Sequence, residues 1–118
     1  MIDNPAQVEQ LVPRLRAALP LSATASPPLL AALKERSPGM DLSSHCRITR
    51  IDYVGDEGGI VCQLDFGIEG GREVFFASIT HLTFDRRLVL AREITAYQRH
   101  RIKRLRRGSA APASWKDF

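Results

Sequence analysis

The chain has 118 residues, 44% apolar and 25% charged, with a formal net charge of +4. That is enough for one domain with a modest core and short for two. No apolar run approaches the ~18 residues of a membrane span, and the N-terminal MIDNPAQVEQ lacks a basic stretch followed by an apolar core. A cytoplasmic protein with no membrane partner is therefore expected.

Asn4 followed by Pro5, with Gln7 three residues on, reads as a capped helix start. Val8, Leu11, Val12, Leu15 and Leu19 mark its apolar face, Pro13 predicts a kink or break, and Pro20 ends it. PLSATAS, residues 20–26, reads as a small-residue linker. Ser26 and Pro27 then open a second short helix with Leu29, Leu30 and Leu33 inward, stopped by Pro38-Gly39.

His45 to Val54 is rich in β-branched residues, and its apolar phase slips between Ile48 and Ile51, which predicts a bulge near Thr49 and Arg50. Gly55-Asp56-Glu57-Gly58 is turn chemistry, and Ile60, Cys62, Leu64 and Phe66 alternate as a strand with one buried face. Glu69-Gly70-Gly71 predicts a second turn, and Val74 to Phe84 a third, longer strand. The expected fold is α+β: two N-terminal helices, a three-stranded antiparallel meander, and a long basic C-terminal helix packed on the sheet. Residues 1–107 would form the domain, and residues 108–118, GSAAPASWKDF, a flexible tail.

The C-terminal segment Asp85 to Arg107 holds nine of the seventeen Lys and Arg residues against two acids, so it carries +7 while the other ninety-five residues sum to −3. At 100° per residue, Leu90, Ile94, Tyr97, Ile102 and Leu105 fall on one side and Arg92, Arg99, Lys103 and Arg106 on the other. Arg101 lands on the apolar side, where its stem would run along the sheet to keep the charge wet. A helix starting just after Asp85 and ending at Gly108 puts Arg86 and Arg87 in its first turn, against the helix dipole. An external phosphate or carboxylate would resolve that conflict, as would an acid on the sheet.

No GxSxG, Walker-type loop, HExxH or dinucleotide fingerprint is present, so no enzyme is expected. His81, near Ser78, Thr80 and Asp85, is read as a histidine hydrogen-bonded within the sheet rather than a general base. Neither Cys46 nor Cys62 stands in a metal-type spacing, and both are expected as buried thiols. With His45 and His81 they are the residues from which a metal site could be imagined, but strand pairing would separate the two sulfurs by on the order of 17 Å, too far for a shared ion or a disulfide. No metal or cofactor is expected.

The helix-strand-strand-strand-helix order predicted for residues 26–107 is similar to that of the double-stranded RNA-binding domain, in which basic residues at the start of the second helix contact phosphates. Arg86 and Arg87 occupy the comparable place, and the likeness implies that they would do the same. The chain lacks that family's Lys-Lys start after a Gly-rich turn, its first-hairpin histidine loop and its alanine-rich last helix.

The expected function is a polyanion-binding surface for RNA or DNA backbone phosphate, formed by Arg86, Arg87, Arg92, Arg99, Lys103 and Arg106. The alternatives are a solvated face with no partner, and contact with an acidic protein or a second copy through the turns that carry Asp52, Asp56, Glu57, Asp65, Glu69 and Glu73. Tyr97, on the apolar side, offers no stacking platform for single strands.

Overall fold

A computed structural model describes residues 2–67 and 74–108. Helix α1 spans Pro5–Ala18, strand β1 Leu21–Ala25, helix α2 Pro27–Arg36, β2 His45–Tyr53 and β3 Ile60–Asp65. They are followed by β4 at Phe75–Ser78, a 3-10 turn at Ile79–His81, β5 at Leu82–Thr83 and helix α3 at Ala91–Gly108.

Both short helices start as their caps dictate. The Asn4 side chain accepts from the backbone N–H groups of Ala6 and Gln7, and the Ser26 hydroxyl accepts from Leu29, each just ahead of a proline that has no N–H to satisfy. Helix α1 runs unbroken through Pro13, which is exposed, and its Val8, Leu11, Val12 and Leu15 face is buried, chiefly against β2.

The three-stranded meander is replaced by a five-stranded antiparallel sheet in the order β4-β3-β2-β1-β5, curled into a half-barrel. Two segments account for the difference. LSATA, expected as a linker, is strand β1, paired with β2 from Leu21↔Ile48 to Thr24↔His45, with Leu21, Ala23 and Ala25 buried. The long third strand is broken: β4 pairs with β3 at one edge, while β5 pairs with β1 at the other. Only residues 79–81 separate them.

That short crossing requires the curl. Five flat strands span about 19 Å edge to edge at ~4.8 Å spacing, whereas four Cα steps reach at most about 15 Å. The 3-10 turn shortens that reach further, so the two edges must approach each other. Ser78 fixes the turn, its hydroxyl accepting from the Thr80 N–H and lying 2.9 Å from the Thr80 hydroxyl.

The first hairpin forms as its residues predict. Val54 N–H donates to Gly59 O, Ile51 faces Cys62, and the register shifts between Ile48 and Arg50 so that Thr49 bulges. The buried row of β2 and β3, Cys46, Ile48, Ile51, Ile60, Cys62 and Leu64, meets Phe75, Ala77, Ile79 and Leu82 in one core. With a strand ahead of α2 and five strands in the sheet, the order likened to a double-stranded RNA-binding domain is not the order of this chain. The turn at Glu69-Gly70-Gly71 and the tail beyond Gly108 lie outside the described residues.

Candidate nucleic-acid interface on helix α3

Helix α3 begins at Ala91, five residues later than the sequence suggests. Asp85 explains the delay. Its carboxylate accepts from the Arg87 backbone N–H at 2.9 Å and binds the Arg87 guanidinium at 3.3 Å, while its carbonyl accepts from Leu88. This is an aspartate-led turn, a conformation such residues offer in competition with helix. The Arg87 backbone and side-chain hydrogen bonds hold the Asp85 carboxyl below its ordinary pKa. Arg86 and Arg87 therefore precede the helix, and the dipole conflict proposed for them does not exist.

The inward side of α3 is tied down by polar contacts as much as by packing. Gln98 Nε2 donates to the carbonyls of Ile79 and Leu82, at 2.8 and 2.7 Å, clamping the helix to the 3-10 crossing. Tyr97 is fully buried; its hydroxyl donates to Asp3 Oδ2 at 2.8 Å and accepts from the Ile60 N–H at 3.1 Å. Burial raises its pKa above the usual tyrosine value.

Arg101 does not reach for water. Its side chain is 3% exposed, with Nη1 at 3.1 Å from both Asp3 carboxylate oxygens and Nη2 donating to the Asp56 carbonyl at 2.8 Å. Ile2 N–H donates to Asp56 Oδ1, so the N-terminal segment, the β2–β3 turn and α3 are locked at one point. Gly59 makes the lock possible. Its φ is +63°, and a β-carbon there would overlap the Tyr97 hydroxyl and come within 2.8 Å of Arg101 Cζ.

The outward side is different in kind. Arg92, Arg99, Lys103 and Arg106 are all exposed, and helical rotation gathers them within an arc of about 60°, opposite Ile94, Tyr97 and Arg101. From Arg92 to Arg106 the row is about 21 Å long. No ion pair involves any of the four, or Arg86, among the described residues. Glu93, the acid of the first helical turn, faces Arg14 instead, at 3.9 Å. Of the six residues expected to form the site, the structure brings four onto one face. It leaves Arg86 exposed in the preceding turn and neutralises Arg87.

Beyond Arg101 the helix has no buried side chain among the described residues. Residues 102–107 are all exposed, including Ile102 at 37% and Leu105 at 41%. Arg99, Ile102, Lys103, Arg106 and Arg107 line a shallow, open hollow of about 410 Å³ on this free end.

Other candidate sites are occupied by structural contacts. The His81 carbonyl accepts from the Ser26 N–H, and burial lowers the pKa of its ring. Cys46 and Cys62 are free and buried, with Cys46 Sγ 3.7 Å from the Ala23 carbonyl. Among the described residues no three His, Cys, Asp or Glu side chains are placed to hold a metal ion, and no helix is long and apolar enough to cross a membrane. Of the acids expected around the turns, Asp52 lies in β2 and meets Arg50 at 2.8 Å, and Asp65 ends β3 and accepts from the Gly67 N–H. Comparison with known proteins finds no matching family model, no similar curated protein and no similar solved structure.

Proposed function

We propose that this chain is a non-enzymatic α+β domain that binds the phosphate backbone of nucleic acid through the outward face of α3. The observation that carries the reading is the row Arg92, Arg99, Lys103, Arg106, exposed on one face and without an ion pair among the described residues. Several other surface cations have acids beside them, as Arg14, Arg16, Arg50 and Arg87 do, while others such as Lys34 and Arg47 have none among the described residues; what sets α3 apart is four such cations in one row. Desolvating a guanidinium is repaid by charge-assisted, often bidentate bonds to phosphate, so an unneutralised row of them favours a polyanion. Arg86 extends the positive field at the start of the segment; Arg87, bound to Asp85, contributes less.

Four phosphate contacts imply a slope of log affinity against log salt of about −3.6, hence roughly a hundredfold loss between 50 and 200 mM salt. Fluorescence anisotropy with a labelled duplex at those two concentrations measures it. Arg99→Ala and Lys103→Ala should each reduce the slope by about one, with unchanged circular dichroism. Affinity that does not move with salt would sink the reading.

A further inference from the structure

We infer that the ligand of this face is B-form duplex DNA, with the free end of α3 lying in the major groove. This rests on the phosphate-binding reading above and narrows it to one class of nucleic acid. Three features of α3 carry it.

The first is clearance. Arg101 is the last buried residue of α3 among the described residues, and each of residues 102–107 is exposed. A helix with its side chains is about 10–12 Å across, and the major groove of B-DNA is about 12 Å wide. A helix needs only one exposed face to enter that groove, and exposed last turns allow it to sit deeper.

The second is the direction of the cations. Rotation places Arg106 and Arg107 about 100° apart on the helix surface, with Lys103 between them. A single backbone asks for one narrow row, whereas a groove presents phosphates on two walls. Arg106 and Arg107 diverge towards the two walls, and Lys103, between them and one turn back, can reach the phosphates of either. Upstream, the exposed Thr95 and Ala96 keep the same face low between Arg92 and Arg99.

The third is what the face lacks among the described residues. Binding of single strands relies on aromatic platforms for the bases, and the aromatic residue of α3, Tyr97, is fully buried and hydrogen-bonded to Asp3. The A-form RNA duplex has a deep, narrow major groove that side chains cannot enter.

The test is anisotropy of the full chain against a 20-base-pair DNA duplex, the RNA duplex of the same sequence, one of its single DNA strands, and heparin, all at one ionic strength. The DNA duplex is expected to bind at least about tenfold tighter than the others, and the major-groove ligand methyl green, not the minor-groove ligand distamycin, should displace the protein. The double variant Arg106→Ala/Arg107→Ala should lose about tenfold or more on DNA, while Arg47→Ala, on the exposed side of β2, should not. Equal binding of DNA, RNA and heparin, or displacement by distamycin alone, would overturn the groove assignment and leave the phosphate reading standing. No binding to any of the four at low salt would overturn both.

Discussion

Arg101 sits on the apolar side of a helix whose other cations all face solvent, and the reason is Asp3, ninety-eight residues away in sequence. Breaking a buried pair leaves an uncompensated charge, so Asp3→Ala should cost about 3–5 kcal/mol in denaturant unfolding. The double change Asp3→Leu/Arg101→Met should cost clearly less than the two single changes together, since an apolar pair leaves neither charge behind. Additive losses would mean that the two side chains are not partners. The thiols give a second prediction. Burial, with Cys46 adding, pushes the Cys62 thiol up to about 12 from 9.0. A raised folded pKa means that the native state holds its proton where the unfolded chain has released it. Stability is therefore complete below pH 9 and falls as pH rises towards 12, by up to about 1.4 kcal/mol per unit for that group. Tyr97, raised in the same sense by burial, adds to the fall only above pH 10. Cys62→Ala should flatten the profile between pH 9 and 10; an unchanged slope would show that the thiol titrates normally. At the other end, burial depresses His81, so its contribution is lost as pH falls below about 6.5.

The elements differ in how plainly their residues announce them. Helix starts at Asn4 and Ser26, the hairpin turn at Gly55–Gly58 and the bulge at Thr49 are local events set by capping and turn chemistry, and all are readable from a few adjacent residues. Strand β1 was not, because Ala23 and Ala25 are weak strand formers, although the alternation of Leu21, Ala23 and Ala25 is the period of a half-buried strand. The break after Ser78 was hidden because apolar residues continue on both sides of it, and only the topology shows that they serve opposite edges. For the site, the row Arg92, Arg99, Lys103, Arg106 followed from helical period alone. The turn at Asp85 did not, since helix capping and an Asx turn use the same residue. Nor did the Asp3–Arg101 pair, for which the one local sign was a cation out of phase. Pro13 offers a test at this scale. It lies exposed inside α1, where it forfeits the bond to Glu9 and crowds that turn. Pro13→Ala should stabilise the protein by on the order of 1–3 kcal/mol in denaturant unfolding. A loss of stability would mean that the proline sets the shape of α1 against β2.

Taken whole, the molecule concentrates its positive charge in one helix, α3. From Ala91 to Arg107 there are seven Lys and Arg residues and one acid; Arg101 is neutralised by Asp3, and Arg92, Arg99, Lys103 and Arg106 have no ion pair among the described residues. Those four repel one another across distances shorter than the ~30 Å screening length at 10 mM salt, and most of that repulsion is screened at 0.15 M, where the length is ~8 Å. Salt acts in the opposite sense on the exposed Arg50–Asp52 and Arg87–Asp85 pairs, but such pairs are individually worth little. The buried Asp3–Arg101 pair is shielded from ions altogether. Stability should therefore rise with salt: relief of about 0.5–1 kcal/mol corresponds to a melting temperature higher by a few degrees for a domain of this size. Arg99→Gln/Lys103→Gln should raise the melting temperature at 10 mM salt and reduce its dependence on salt, while weakening polyanion binding. A melting temperature that falls as salt is added would show that exposed ion pairs outweigh the repulsion on α3. If the expected pattern is found, the row of cations is a feature the fold tolerates at a cost in stability, which is what a surface kept for binding looks like.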